Sequence, residues 1–550
     1  MSLDPITTEV VGSALLSITD EMSTVLVRTA YSTNIKERAD CSTALFDARG
    51  RVLAQSQRLP LHMGSLLGSV RHIRDRFPLA SLRPGDMFLA NDPYHGGGSH
   101  LPDFNLVMPI FADGRLVAFA ANTAHHSDVG GMVPGSESSE CREIYQEGLR
   151  LPPVRLCAEG VVQEDVIEIV KLNSRVPKER DGDLRAQIAA NRVAQKRVVE
   201  LCDRYGADDL AAHGDSLLEA TERRIRSQFA ELGDGEHVFE EPLDPLASGE
   251  EVVIRVRLRV VDDRLHLDFT GSSQQMTWAR NVPLYALAAT AFCVVKTMLD
   301  PTLPANDGLY RSVVVHAPEG TVVNPVEPAP VGARALTCGV LADAIVGALS
   351  SAVPHRAVAG SAPHQLITVA GTDPRDGGFF VNYETIAGAL GARAGHDGCD
   401  GVRIYASGAA NLPVEPLEQA FPFLVERYEL IPDSGGDGRT RGGRGIRRDY
   451  RILNERTEVA LTGERHVNAA RGRDGGADGA LGRFVLNPGT DAERLLPRVA
   501  RGLVLQRGDV LRVETPGGAG FGPPAERTAE RRRHDVAIGV VSAATDEERV

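Results

Sequence analysis

The chain has 550 residues, 42% hydrophobic and 24% charged, a composition typical of a globular protein of several domains. Its 60 basic and 74 acidic residues leave a formal net charge of -14, which argues against nucleic acid or an anionic membrane as a standing partner but not against a phosphorylated small molecule. Seven scattered cysteines without CxxC spacing fit free thiols in a reducing compartment. The opening MSLDPITTEV lacks the features of a signal peptide, and the sequence reads as having no apolar run long enough for a bilayer. The expectation is a cytoplasmic protein with no membrane partner.

Taken in order, residues 9–30 predict an amphipathic helix, with Val10, Ala14, Leu15, Ile18, Met22, Val25 and Leu26 at three- and four-residue intervals. A hairpin follows over 40–46 and 51–55, around Asp47-Ala48-Arg49-Gly50, and Asp40 opens its first strand. His62 stands just ahead of a second helical pattern at 66–77. Residues 86–90 read as a short strand.

The stretch 91–131, NDPYHGGGSHLPDFNLVMPIFADGRLVAFAANTAHHSDVGG, carries the densest chemistry. Apolar runs 105–111 and 115–122 flank Ala112-Asp113-Gly114, the pattern of a tight hairpin. Folding back there sets residues 100–103 beside 124–127, so His100 and Asp103 meet His125 and His126 at one edge. Imidazoles and a carboxylate suit a borderline divalent cation such as zinc or manganese. Strand alternation lets one of His125 and His126 reach the shared site, not both. Gly96-Gly97-Gly98 forms a glycine-rich approach. Asp128 reads equally as an orienter of an imidazole or as a cap on the Gly130-Gly131 turn. His62, Asp92 and His95 read as core or loop residues. Cys41, with no basic neighbour to activate it, reads as a buried strand residue.

Turn formers dominate 131–153. A helical pattern over 164–232 reads as a long hairpin packed on a neighbouring domain, ending at Gly233-Asp234-Gly235. Strands at 252–261 and 265–269, a helix at 284–299, a strand at 312–317 and a helix at 335–349 follow. From 421 the chain turns to strands and glycines, at 425–430, 447–453, 457–461 and 510–514, before a charged helical tail. The expected fold is multidomain α+β, with mixed antiparallel sheets, long helices and a β-rich C-terminal region. Its expected divisions are 1–235, 236–420, 421–525 and 526–550. No Walker A pattern occurs, and the glycines of 515–522, without a following helix, are a weak nucleotide signal. Segment 435–448 sets Arg439, Arg441, Arg444, Arg447 and Arg448 among glycines. It reads as a mobile cationic loop for docking on an anionic partner, with pairing inside the chain as the alternative.

The motifs ERADCSTALFD, NDPYHGGGSHLPD, AHHSDVGGMVPG, IYQEGLRLPPVRL, GDLRAQIAANRVAQKRV, LDFTGSS, RYELIPDSGGDGRTRGGRGIRRDY and TPGGAGFG stand in order over nearly the whole chain. Together they resemble the hydantoinase B/oxoprolinase family. The resemblance implies a B subunit with one divalent metal, manganese or zinc, on Asp40, His100, Asp103 and His125, and with His126 or Asp128 as base or orienter. It implies a hydantoinase A-type partner carrying the ATP and magnesium site, a small cyclic amide substrate, and a hetero-oligomer in which B–B contacts are open. The implied reaction is ring-opening hydrolysis, metal-activated water attacking a partner-phosphorylated cyclic amide. Because the family includes acetone and acetophenone carboxylase subunits, a carboxylase subunit is the rival enzyme reading. A non-catalytic scaffold is the rival from another class. One segment departs from the family's Thr/Asn-rich run: residues 403–410 read RIYASGAA. Contact between that run and substrate would imply a substrate different from the common one.

Overall fold

The computed structural model describes residues 4–245 and 248–542, so residues 543–550 of the expected tail lie outside it. The first region contains α1 (Pro5–Thr29), α2 (Thr33–Lys36), β1 (Cys41–Asp47), β2 (Val52–Gln55), α3 (Pro60–Arg76), β3 (Met87–Ala90), β4 (Asp103–Ala112), β5 (Arg115–His125), β6 (Val154–Ala158), β7 (Val161–Val162), α4 (Glu164–Leu172), α5 (Pro177–Tyr205) and α6 (Ala207–Phe229). Its strands form one sheet in the order β2-β1-β5-β4-β3-β6-β7, antiparallel throughout.

The expected hairpin is β4–β5. Asp113 and Gly114 both take positive φ, as a two-residue primed turn demands. Phe111 pairs with Leu116 but Ile110 pairs with Ala118, so Val117 is an extra, unpaired residue, a β-bulge. Packing registers it: Leu116 joins the core on one face of the sheet, while Val117 and Ala118 both join the core on the other.

Helix α3 starts at Pro60, ahead of the expected 66, because proline is well suited to a helix's first turn. His62 is therefore helical. Gly68 is a packing position: a Cβ there would lie 2.3 Å from the Gly97 carbonyl oxygen, so the glycine-rich approach is pressed onto α3. The long helices also differ from expectation. Ala186, Ala190, Ala194 and Val198 of α5 pack with Leu15, Met22 and Leu26 of α1 onto Cys41, Leu45 and Ala120 of the same sheet, not onto a neighbouring domain.

The next elements are β8 (His237–Pro242), β9 (Val253–Val261), β10 (Arg264–Asp268), α7 (Leu284–Leu299), α8 (Asp307–Tyr310), β11 (Val313–His316) and α9 (Arg334–Ala352). The sheet runs β11-β10-β9-β8, with β11 parallel to β10. Helices α7 and α9 share its core with α3. By length and composition α1 and α9 are apolar enough to cross a bilayer, which corrects the reading of the bare sequence; 78% of the apolar window of α9 is buried within the protein.

The remainder comprises β12 (Gln365–Thr372), β13 (Phe379–Ile386), α10 (Val414–Ala420), β14 (Phe423–Leu430), β15 (Ile446–Ile452), β16 (Arg456–Thr462), β17 (Arg483–Leu486), β18 (Arg494–Leu496), β19 (Val499–Gln506), β20 (Val510–Glu514) and α11 (Ala529–Ala537). Two sheets result, β13-β12-β16-β19 and β14-β15-β20-β17-β18, sharing one core. The first takes strands from both sides of residue 420. Strands β12 and β13 escape sequence reading because both faces are buried, which removes the period-two signal.

The arginine-glycine segment is an internal brace, which corrects the expectation of a mobile docking loop. Arg441 and Arg444 reach Asp400 at 3.0 and 2.9 Å, Arg447 reaches Glu514 at 2.6 Å, Arg448 reaches Glu384 at 2.7 Å and Arg439 reaches Glu526 at 2.9 Å. Its glycines allow backbone to touch backbone: a Cβ on Gly442 would overlap the Gly518 carbonyl oxygen, at 1.8 Å. The double substitution Arg441→Ala with Arg444→Ala should therefore destabilise the isolated chain by about 1–3 kcal/mol, the worth of charge-assisted hydrogen bonds to a half-buried carboxylate. A thermal midpoint equal to the parent's would contradict this.

Candidate metal centre

Strand register assembles the centre. Asp103 pairs directly with His125 across β4–β5, and the His125 N–H donates to the Asp40 carbonyl at 3.0 Å where β1 begins. Side chains alternate along each strand, so Asp40, His125 and Asp103 share one face and stand in a row across three adjacent strands. His100 joins from the turn ahead of β4. His62 joins from the first turn of α3, which covers that face.

All five side chains are buried. One donor atom each of His100, Asp103 and His125 lies within 4.8 Å of the others. His100 Nε2 is 3.3 Å from Asp103 Oδ1, and His62 Nε2 is 3.5 Å from both Asp40 Oδ1 and Asp103 Oδ1. His100 Nε2, His125 Nε2 and Asp103 Oδ1 have no hydrogen-bond partner, although each is buried. Orphaned buried polar atoms are costly. Two imidazole nitrogens and a carboxylate oxygen aimed at one point are a donor set for zinc or manganese, so these residues fit a divalent ion.

The opposite ends of the same side chains are fixed. His100 Nδ1 lies 3.0 Å from the Gly332 carbonyl and 3.1 Å from Glu137 Oε1. Asp103 Oδ2 accepts from Arg334 Nη2 and from Ser99 Oγ, each at 2.8 Å. His125 Nδ1 is 3.2 Å from the Asn34 amide, and its ring stacks on Tyr383 with centroids 4.3 Å apart. Such outer contacts orient ligands and tune their basicity. Burial pushes His125 down to about 3, so it stays neutral, the form a ligand requires. For His100, burial and Arg334 act downward, but Asp103 and Glu137 outweigh them and raise it. Burial opposes ionisation of Asp103, yet His100, His62 and Arg334 hold its carboxyl well below the usual range.

A cavity of about 40 Å³ adjoins the centre, with Asp40, His62, His125, Tyr383, His364 and Arg403 in its walls. Of the residues expected from sequence, His100, Asp103 and His125 bring donor atoms together, and Asp40 stands next to His125 on the neighbouring strand with its Oδ1 3.5 Å from His62 Nε2. His126 and Asp128 do not join them. Strand alternation turns His126 to the other face, where its ring lies on Phe104 and its Nε2 is 3.0 Å from Gln187 Oε1. Asp128 accepts from the Arg175 guanidinium at 2.8 Å and the Gly135 N–H at 3.0 Å, which makes it a brace for the following turn. His62 and Glu137 are additions. The proline at 60 signals the helix start that places His62; Glu137 lies in a turn-rich stretch with no periodic signal.

The described residues form four sheets, with a buried His/Asp centre at the mouth of an antiparallel hairpin, and this defines the class of the protein. Residues 4–524 match the family model of hydantoinase B/oxoprolinase, and the chain belongs to that family. It is 33% identical to a protein of a Pseudomonas species provisionally assigned as the B subunit of a D-/L-hydantoinase, over 98% of this chain and 93% of that one. It is likewise 33% identical to the beta subunit of caprolactamase from Pseudomonas jessenii, over 98% of this chain and 94% of that one. The crystal structure of the ATP-dependent caprolactamase from that organism has a TM-score of 0.90 at 30% identity, covering 98% of this chain and 95% of its own. Acetone carboxylase, in its nucleotide-free structure, shares the fold, with a TM-score of 0.89 at 19% identity over 99% of this chain and 79% of its own.

Proposed function

We propose that this chain is the metal-dependent B subunit of an ATP-dependent enzyme that opens cyclic amides, acting in the cytoplasm beside an A-type subunit that phosphorylates the substrate. The convergence of the orphaned His100 Nε2, His125 Nε2 and Asp103 Oδ1 beside Asp40 carries this reading. These four residues would hold one divalent ion, manganese or zinc. When bound, such an ion supplies Lewis-acid polarisation and lowers the pKa of water from about 15.7 towards 7.

The chain's own groups do the rest. His62 takes the proton-handling position that strand alternation denies His126: its Nε2 faces both carboxylates at the cavity wall, and its Nδ1 lies 3.3 Å from Ser42 Oγ. Arg334 and Ser99 keep Asp103 Oδ1 pointing inward by occupying Oδ2. Apolar walls from Leu59, Leu61 and Ala406 keep bulk water from the centre. His62→Ala should retain its metal and lose about 10²–10⁴-fold in kcat, the usual worth of a general acid–base group. Undiminished turnover would remove His62 from the mechanism.

The deciding experiment co-purifies the chain with an A-type subunit and assays hydantoins and lactams. Ring-opened product, ATP consumption and no need for bicarbonate are expected. A new carboxylate that requires bicarbonate would establish the carboxylase reading instead. Turnover unaffected by ligand substitutions would leave the chain a scaffold.

A further inference from the structure

The cavity beside the metal centre is also lined by Arg403 and His364, which are not among the residues that would hold the ion. Arg403 spends one Nη2 hydrogen on the Thr385 carbonyl; its Nε is buried with no partner, and among the described residues it forms no ion pair with a carboxylate. His364, 4% exposed, has a buried Nε2 with no partner. Both side chains line the same cavity as Asp40, His62 and His125. The neighbouring charges are already committed. Arg334 is spent on Asp103 and Ser99, and Arg38 donates to Ala410, Asn34, Tyr383 and Thr385, all neutral acceptors. Of the two carboxylates that act on Arg403, Asp40 faces His62 of the metal centre and Glu384 is held by Arg448 and Tyr450. Burial and the positive charge of Arg38 pull Arg403 down to about 9, against the opposing pull of Asp40, Tyr383 and Glu384.

Unsatisfied buried donors are destabilising unless a ligand meets them. A guanidinium and an imidazole N–H in one cavity are donors suited to oxyanions, the guanidinium in bidentate fashion. We infer that Arg403 and His364 form an oxyanion subsite, which takes a phosphoryl or carboxylate group of the substrate in the cavity beside the metal centre. Only the identity of the molecule that carries the oxyanion rests on the proposed function; an amide activated by phosphorylation would carry the phosphoryl. The run 403–410 supplies Arg403, Ile404, Ala406, Ser407 and Ala409 to the cavity, so one segment both lines it and brings its guanidinium.

The test titrates the isolated full chain with inorganic phosphate and, separately, with acetate, following heat of binding before and after chelation of metal. Phosphate should bind in both metal states. Arg403→Gln and His364→Gln should each weaken it about tenfold or more, at unchanged metal content and thermal midpoint. Arg403→Lys should restore part of the affinity and serves if the glutamine variant does not fold. Phosphate held more tightly than acetate assigns the phosphoryl source, and the reverse assigns a carboxylate. Phosphate affinity indifferent to all three substitutions, or abolished by chelation alone, would overturn the subsite. Intact ring opening with no such binding defeats this inference alone; intact binding without ring opening defeats the proposed function alone.

Discussion

His100→Ala and Asp103→Asn proteins should emerge folded and stripped of metal, while His126→Ala keeps its full complement. Loss of an outer contact to a metal ligand typically costs 10–100-fold in affinity, so loss of a ligand itself should cost more than about 100-fold. Asp103 is the most exacting position, because its Oδ1 faces His100 and His62 while its Oδ2 is held by Arg334. Asparagine preserves the size and the Arg334 contact but removes the charge. His126 supplies the internal control, since its ring lies against Phe104 and Gln187 on the other face. Elemental analysis reads the outcome directly, and a full metal load in His100→Ala would sink the assignment.

The largest stability loss is expected from Arg465→Ala. Arg465 is fully buried and reaches Glu241 of β8 at 2.8 Å and Asp343 of α9 at 2.9 Å. Its neighbour Glu464 pairs with Arg280 and accepts the Asp244 N–H at 2.8 Å. This cluster joins the segment after β16 to the β8–β11 sheet and its helix. Removing the guanidinium leaves two buried carboxylates without their cation, a change worth about 3–5 kcal/mol. Asp343→Asn should cost less, because Arg465 retains Glu241. Urea unfolding checks both, and an Arg465→Ala loss under about 1 kcal/mol would show that the cluster does not clamp the regions together.

What the sequence discloses follows from where its signals are local. The β4–β5 hairpin is legible because alternation and an Asp-Gly turn together constrain register, and that register delivers His100, Asp103 and His125. Helix α7 and strand β20 fall at the expected residues because Asp300-Pro301 and the glycines after Glu514 punctuate them. Asp40 comes from the family resemblance alone. The partners Arg334 and Tyr383 lie more than two hundred residues from the hairpin, and no periodicity reports such a contact. For the same reason the 439–448 arginines look free in sequence: Glu384, Asp400 and Glu514 are remote along the chain. His62 escapes because the apolar pattern of α3 begins later than the helix itself.

The bulge at Val117 lies at the far end of the hairpin from the metal centre, yet it selects which histidine arrives there. Were Val117 paired with Ile110 instead of bulged out, Asp103 would face Ala124 instead of His125. Every side chain beyond the slip would change face, carrying His125 toward α5 and His126 toward α3. The hairpin thus behaves as a counting device, in which one surplus residue at the turn is converted into chemical identity at the mouth. Deleting Val117 removes only the unpaired residue, so Asp103 should still face His125 and the metal should stay, whereas deleting Val117 together with the paired Ala120 should set Asp103 opposite His126 and empty the chain of metal. Metal content in that pair of variants would separate a site fixed by its ligands from a site fixed by its arithmetic.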